Sequence, residues 1–516
     1  MPTFSQPKLR HRLLPHRRLL PHRRFLPQGM AFVVSLALLA GFTAPLRAQT
    51  LAQKNWAGSG VSIEPWWHRG VFYRIDPERF QDSTGSGHGD LTGIAQRLEY
   101  IQSLGVDAIL LAPATGAPAF TPDTAGTGFD TLARGAVDHH LRLLVTLPGP
   151  ESQAPAADAK LLNLARYWLN QGVAGLYIPT QALAKMDGGE HIAVLLRQLH
   201  ALVASFPGGR ILLADASGGN PDPALTRALA QNVQLTGAIP FSAAIPSALS
   251  LRTQLSAAIA DPNPLLSAAR IPAQPSPQQL DALNRTIAAM LLASRGAVVL
   301  DYGEELGLMS GSAAAPLMQW TPANVTSRPA PPAAVAKVSA SPADTAFKPY
   351  IPPLPRDLFK PPAMPEIFAT DHPVNPLRDP DALPGFTTGR LLQPAATNAA
   401  TANVALEDTD SASLLSFYRH LIEMHHGNAS LHNGLQTLQD HDGVKAMVWT
   451  RSAPPASRTA GAAVVVCNLS EKPLTLTLDS LHLHTGVRTL LGALPTRMGE
   501  SITIPAYSVF LGEAGR

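Results

Sequence analysis

Between Trp66 and Pro113 the spacing of apolar residues changes twice, and the changes mark a strand, a helix and a second strand. Gly70–Ile75 (GVFYRI) is a β-rich run. Asp82–Asp90 (DSTGSGHGD) is a glycine-dense loop ending on Asp90, a residue type suited to capping a helix N-terminus. Leu91, Ile94, Leu98, Ile101 and Leu104 then recur three and four apart, which predicts one helix with a single apolar face, closed by Gly105. Asp107–Leu111 (DAILL) is nearly unbroken in apolar character, as a parallel strand buried on both faces requires. The unit predicted is a βαβ crossover.

The alternation continues past Pro113. Strand-like runs centre near Phe72, Ile109, Leu144, Leu176, Leu212, Leu235, Leu265 and Val298, with helical patterns between them. Eight strands with intervening helices is the count of a (β/α)8 TIM barrel, so the fold class expected is α/β. The final turn is well marked. Ser276-Pro277-Gln278-Gln279 gives a capping box with proline at the first helical position, a helix is predicted to Arg295, Gly296 ends it, and Ala297–Leu300 is the eighth strand. Thr321–Pro384 breaks the pattern, being rich in Pro, Ala and Thr with no sustained period, and reads as an insertion without regular structure. From Gln436 onward, apolar runs such as Lys445–Trp449 and Ala463–Leu469 alternate with turns.

Met1–Ala48 carries eight Lys or Arg residues and no Asp or Glu, then an apolar run from Met30 to Phe42 and Leu46-Arg47-Ala48, the arrangement of a secretory signal peptide removed after Ala48. The apolar run falls short of the ~20 residues a bilayer span needs, so no membrane span is expected in the mature chain and the protein is expected to be exported, periplasmic or extracellular. The leader also carries the basicity. The whole chain has 40 basic and 37 acidic residues, and without the leader 32 basic residues face those 37, a net charge of −5. That balance leaves no basic face to argue for nucleic acid. Cys467 is the single cysteine, which excludes an intrachain disulfide, and its place in the apolar run AAVVVCNL predicts a buried, inert thiol.

The stretch WWHRGVFYRIDPERFQDSTGSGHGDLTGIAQRLEYIQSLGVDAILLAP (Trp66–Pro113) resembles the opening of the α-amylase family, glycoside hydrolase family 13, in its α-glucosidase and trehalose-synthase-like branches. DYGEELGLMSG (Asp301–Gly311) and PLMQW (Pro316–Trp320) resemble the family's eighth-strand and following-loop motifs. GFTTG (Gly385–Gly389) and NVALEDTDSASLLSFYRHLIEMHH (Asn403–His426) resemble the segment and helix that lead out of the barrel. The resemblance implies a barrel over 49–320, an exit helix and connection over 385–435, and a small C-terminal antiparallel β-sandwich over 436–516.

The chemistry departs from the resemblance. A retaining glycosidase of this kind needs two carboxylates about 5–5.5 Å apart, one attacking and one donating a proton, at the C-terminal ends of barrel strands. The resemblance places the nucleophile at Pro179, in Gly175-Leu176-Tyr177-Ile178-Pro179, with Tyr177 where the family has arginine. Proline offers no side-chain oxygen. Asp215, closing Ile211–Asp215, stands at the general-acid position in place of glutamate, one methylene shorter. A carboxyl drawn back by about an ångström costs on the order of a hundredfold. The stabilising aspartate falls on Ala269, and no His-Asp pair occurs between Asn263 and Gln274. Thr146 takes the place of the third-strand aspartate in LLVTLPGP (Leu143–Pro150). With the next helix predicted near Asp158, no sequence remains for the lobe that follows this strand in the family. Ala114–Gly128, where the family places a sugar-stacking tyrosine, contains none.

The DSTGSGHGD loop keeps Asp82 and Asp90 of the family's alternating calcium ligands, with Thr84 and Ser86 where Asn and Asp are expected. Calcium and a plain glycine turn are both open, although the lost charge counts against calcium. Glu304-Glu305 are sequence neighbours that rarely converge on one reacting atom, and His139-His140 and His425-His426 lack a third ligand at metal-site spacing. No phosphate loop or nucleophile elbow is present. Two functions are implied. One is an exported α-amylase-family protein of carbohydrate metabolism that is catalytically inactive and binds an α-glucan or a protein partner. The alternative is an active α-glucosidase, α-amylase-type hydrolase or glucosyltransferase on α-glucans. The missing nucleophile favours the first, and the missing third-strand lobe implies a barrel mouth that is shallow or plugged by side chains and by the Pro-rich insertion.

Overall fold

The computed structural model describes residues 65–322 and 385–514 apart from short breaks, the longest at 114–119, 180–188, 216–222, 237–247, 268–276, 309–315, 440–445, 453–460 and 478–486. The expected leader, the insertion beyond its first two residues, and Ala269 therefore lie outside the described residues. So do 114–119 of the stretch searched for a tyrosine and the side chain of Asp215.

Eight parallel strands form one sheet: β1 (Val71–Ile75), β2 (Ala108–Leu111), β3 (Arg142–Thr146), β4 (Gly175–Pro179), β5 (Ile211–Asp215), β6 (Leu235–Thr236), β7 (Leu265–Ser267) and β8 (Ala297–Asp301). Their order is β6-β5-β4-β3-β2-β1-β8-β7, so the first strand pairs with both the second and the eighth. That wrap is the TIM-barrel arrangement. Between β6 and β7 no pairing is described, and β6 has only two residues. Side chains alternate between the two faces of each strand. Phe72, Leu110, Leu144, Tyr177, Leu213 and Val299 fill one cluster inside the sheet, while Tyr73, Ile109, Val145, Ile178 and Val298 belong to the layer between strands and helices. Burial on both faces is why these strands read as unbroken apolar runs.

The predicted single helix after the glycine-rich loop is two, Leu91–Gln96 and Leu98–Ser103. The break is at Arg97, whose φ of −110° and ψ of 13° leave the helical region. Its guanidinium reaches out of the helix line to Gln81 Oε1 at 2.7 Å and Gly385 O at 3.3 Å and lies 4.2 Å from the centre of the Trp320 ring. Both helices still bury the apolar face read from the sequence, and Gly105 closes the second with φ +84°. The helix expected near Asp158 starts at Pro155, which shortens the connection from β3 further. The helix before β8 runs Pro277–Leu292 rather than to Arg295.

Beyond the exit helix Leu414–Gly427 the chain forms two antiparallel sheets. The first contains β9 (Leu435–Leu438), β10 (Ala446–Ser452), β11 (Ala462–Asn468), β13 (Val487–Gly492) and β16 (Ser508–Ala514). The second contains β12 (Leu474–Thr477), β14 (Thr496–Met498) and β15 (Ser501–Ile504). Strand alternation again decides the packing. Met447, Trp449, Val465, Cys467 and Leu511 join the main core, whereas Val448, Val464, Val466 and Phe510 meet Leu476, Ile502 and Ile504 of the second sheet. Cys467 is buried and free, and burial pushes its thiol pKa up, away from reactivity. Among the described residues no helix is long and apolar enough to cross a membrane.

Candidate active site

In a barrel of parallel strands, groups able to act together are those at the C-terminal strand ends. Two steps along each strand from the interior cluster lie Arg74 on β1, Thr146 on β3, Pro179 on β4, Asp215 on β5 and Asp301 on β8. The pairing sets them in rows, with Arg74 beside Asp301, Thr146 beside Tyr177, and Pro179 beside Asp215.

Of the sequence-derived positions, Thr146, Pro179 and Asp215 are thus brought to one end of the sheet. Pro179 is half-buried and closes β4 without a polar side-chain atom. Tyr177 is 5% exposed and sits lower, in the apolar interior, rather than at the rim where an arginine could steer an anion or a carboxylate. Thr146 is buried and spends its hydroxyl on the Leu111 carbonyl at 2.8 Å, joining β3 to β2. Its place belongs to strand cohesion.

The rim also holds two features the sequence reading missed. Arg74 and Asp301 form a two-pronged ion pair, Nε to Oδ1 and Nη2 to Oδ2 (2.8 Å), with side-chain exposures of 24% and 18%. Parallel N–H bonds to both carboxylate oxygens fix the guanidinium plane and make this the strong form of the contact. The signal was available, since an arginine in an otherwise apolar first strand faces an aspartate ending its neighbour, the eighth. Next along the chain, Asp76 is buried and caps the short helix Pro77–Phe80, accepting from Glu78 N at 3.3 Å. Its Oδ2 lies 3.0 Å from Arg79 Nε, but no aligned hydrogen bond reaches that oxygen. Burial raises its pKa to about 6 against the opposing pull of Arg79.

Behind β1 and β8 sits a buried carboxyl. Glu305 is 2% exposed; its Oε1 accepts from Tyr73 Oη at 2.6 Å and Tyr100 Oη at 2.7 Å, and its Oε2 has no hydrogen-bond partner. Burial raises its pKa, and burial also raises those of both tyrosines, which keeps the phenols protonated as donors. The group ties β1, the helix Leu98–Ser103 and the turn after β8 together.

In the glycine-rich loop, Asp90 caps the following helix as expected, accepting from Gly93 N at 2.7 Å, and also holds Ser83 through its N (2.9 Å) and Oγ (2.8 Å). Asp82 is 3% exposed and wrapped in donors. Burial alone would raise its pKa, but hydrogen bonds from Thr387 Oγ1, Gly87 N and Thr84 outweigh burial and hold the carboxyl well below the usual range. Among the described residues no group of three or more His, Cys, Asp or Glu side chains is placed to hold a metal ion.

The chain matches a family model described as the catalytic domain of α-amylase over residues 74–140. It is 47% identical over 73 residues to the trehalose-6-phosphate hydrolase of Escherichia coli K12, covering 14% of this chain and 12% of the relative. It is 49% identical over 56 residues to an oligo-1,6-glucosidase of Bacillus sp. strain F5, 11% of each. The chain therefore aligns with about a tenth of the length of the curated relatives it matches. In structure it is similar to the trehalulose synthase MutB from Pseudomonas mesoacidophila MX-45, with TM-score 0.62 and 17% identity over 87% of this chain and 99% of that one. It is also similar to an α-glucosyl transfer enzyme, XgtA, with TM-score 0.60 and 18% identity over 88% and 100%. The likeness in fold extends over 87–88% of the chain, the close likeness in sequence over the first βαβ unit. Over that unit the chain is similar in sequence to the catalytic domain of the α-amylase family, and over most of its length it shares the fold of these solved structures.

Proposed function

We propose that this protein is an exported, catalytically inactive member of the α-amylase family that works as a binding module for an α-glucan or a protein partner. The observation that carries the reading is Pro179 at the C-terminal end of β4, in the row where the attacking carboxylate of the family resides. The strong family match ends at residue 140, before β3, so it says nothing of the strand ends that do the chemistry. Arg74 and Asp301 neutralise one another across the rim, which fits a shallow or plugged mouth. Export rests on the composition of the first 48 residues. The shared cluster between the two C-terminal sheets supports reading them as a sandwich.

The second reading, an active α-glucosidase or glucosyltransferase, draws on Asp76, Asp215 and Asp301, carboxyl-bearing residues that end β1, β5 and β8 or follow them. An activated aryl α-glucoside separates the two, because its good leaving group lowers the need for an acid. The expected result is no turnover above background, in wild type and in Asp215→Ala alike, and no recovery in Pro179→Asp, since residues of one catalytic unit act together. Turnover by wild type that Asp215→Ala abolishes would establish the second reading.

A further inference from the structure

We infer that the Asp82–Asp90 loop is a cation-free latch, in which hydroxyl and amide protons take the lone pairs a divalent ion would need, and which fastens the chain returning at Gly385–Gln393 onto the first βαβ unit. The inference stands independently of the catalytic reading. A carboxylate offers about four lone-pair sites. Asp82 Oδ1 accepts from Thr84 N at 2.8 Å, Thr84 Oγ1 at 3.0 Å and Gly85 N at 2.9 Å. Its Oδ2 accepts from Gly87 N at 2.6 Å and Thr387 Oγ1 at 2.6 Å. These donors exhaust the carboxylate, and Ser86 Oγ adds a longer approach at 3.5 Å.

The resemblance implies calcium here, and the residues do not fit it. The oxygens that alternate along the loop are close together, as Asp82 Oδ1 to Thr84 Oγ1 at 3.0 Å and Ser86 Oγ to the His88 carbonyl at 3.2 Å show, but each of these approaches is a hydroxyl donating a proton. Neutral hydroxyls at 84 and 86 leave too little negative charge for a hard divalent cation. Asp90 is likewise committed, to Ser83 and Gly93.

What the saturated loop holds is the return of the chain. Thr387 is the donor from across the molecule, and Asp82 N bonds the Phe386 carbonyl at 2.8 Å. Gln81 Nε2 bonds the same carbonyl at 2.8 Å, and Arg97 reaches Gly385 O. The fit is backbone on backbone. A Cβ at Gly389 would stand 1.9 Å from Gly85 O, and one at Gly87 would stand 2.5 Å from Arg390 O.

The test is thermal unfolding of the full chain in EGTA and in millimolar CaCl2. Wild type should unfold at the same temperature in both, to within about 1 °C. Thr84→Asn combined with Ser86→Asp, which trades the hydroxyl protons for ligand oxygens, should unfold lower in EGTA and rise by several degrees in calcium. Thr387→Val, which removes only the cross-chain donor, should unfold a few degrees lower, and by the same amount in both solutions. Calcium stabilising wild type, with the effect lost in Asp82→Asn, would overturn the inference. A Thr387→Val chain as stable as wild type would overturn the latch.

Discussion

Replacing Arg451 by alanine is expected to lower the unfolding free energy by on the order of 3 kcal/mol. Arg451 lies on β10, is fully buried, and has three carbonyl oxygens as its partners: Leu431, Gly434 at 3.2 Å and Ala293 at 3.4 Å. Burial, then the nearby Arg69 and Arg295, push its pKa down to about 9, so it is held as a cation at a cost. Removing the charge recovers that cost. Against it stand a void of arginine size and carbonyls at Leu431 and Gly434 that lose a donor in a place water does not reach. Ala293 keeps its bond from Trp449 Nε1 at 3.1 Å. The void and the two orphaned carbonyls win, because each buried unsatisfied acceptor costs about 1–3 kcal/mol. Arg451→Met, which refills the void and discards the charge but leaves the two carbonyls without a donor, should lose less than the alanine variant does. Urea unfolding measures both, and an alanine variant with an unchanged midpoint would show that the guanidinium does not hold the C-terminal sheet to the barrel.

That sheet is docked at the end of a barrel helix. Ala293 and Leu292 carry carbonyls left over where the helix Pro277–Leu292 stops, and such groups must find partners. Trp449 and Arg451 serve Ala293, His425 Nδ1 serves Leu292 at 2.7 Å, and Gln436 Oε1 accepts from Arg295 N at 2.5 Å. The C-terminal sheet and the exit helix thus finish a barrel helix, which gives them a structural role whether or not the mouth is catalytic.

The strands were legible because burial on both faces leaves an apolar run with few other interpretations. All eight expected centres, from Phe72 to Val298, fall within observed strands. The strand ends followed from those positions, which placed Pro179 and Asp215 at the ends of the fourth and fifth strands, and the register of the sheet sets them side by side. Contacts between distant segments were not legible. Nothing local in GFTTG says that Thr387 will donate to Asp82, 305 positions away, and the kink at Arg97 depends on Gln81, Gly385 and Trp320 together. Arg451 misleads in a different way. An arginine near the end of an alternating strand normally lies in solvent, and only the unpaired helix end beneath it makes burial favourable.

Stability should fall as pH rises from about 7 to 8.5, and Glu407→Gln should remove part of that fall. Burial raises the Glu407 pKa to about 8 from an ordinary 4.5, with Glu305 and Asp281 adding to the rise and the bond from Leu415 N, at 3.1 Å, opposing it. A carboxyl raised in the folded state contributes fully below its unfolded value and loses that contribution as pH climbs through its folded value. His425 slopes the other way. Burial, then His426 and Arg451, lower its pKa to about 4 from 6.5, although both ring nitrogens face carbonyls, Leu292 O and Arg69 O at 3.0 Å, and a neutral ring can donate to only one. Its contribution is complete above its unfolded value and disappears as pH falls toward 4. Asp76, raised to about 6, is largely ionised by pH 7. Between pH 7 and 8.5, then, Glu407 titrates with little opposition. Glu407 is partly exposed, and its share there is on the order of 1 kcal/mol after allowing for solvent screening. Glutamine imitates the protonated acid, so in scanning calorimetry Glu407→Gln should match wild type below about pH 4.5 and exceed it near pH 8.5, and Glu305→Gln should gain on wild type in the same direction as pH rises. For Glu305→Gln the readout is sharper still, because the two phenol bonds to Oε1 are kept while the charge that alkali would force into a closed site is gone. Parallel profiles for wild type and both variants would mean that neither carboxyl is held above its ordinary range in the folded chain.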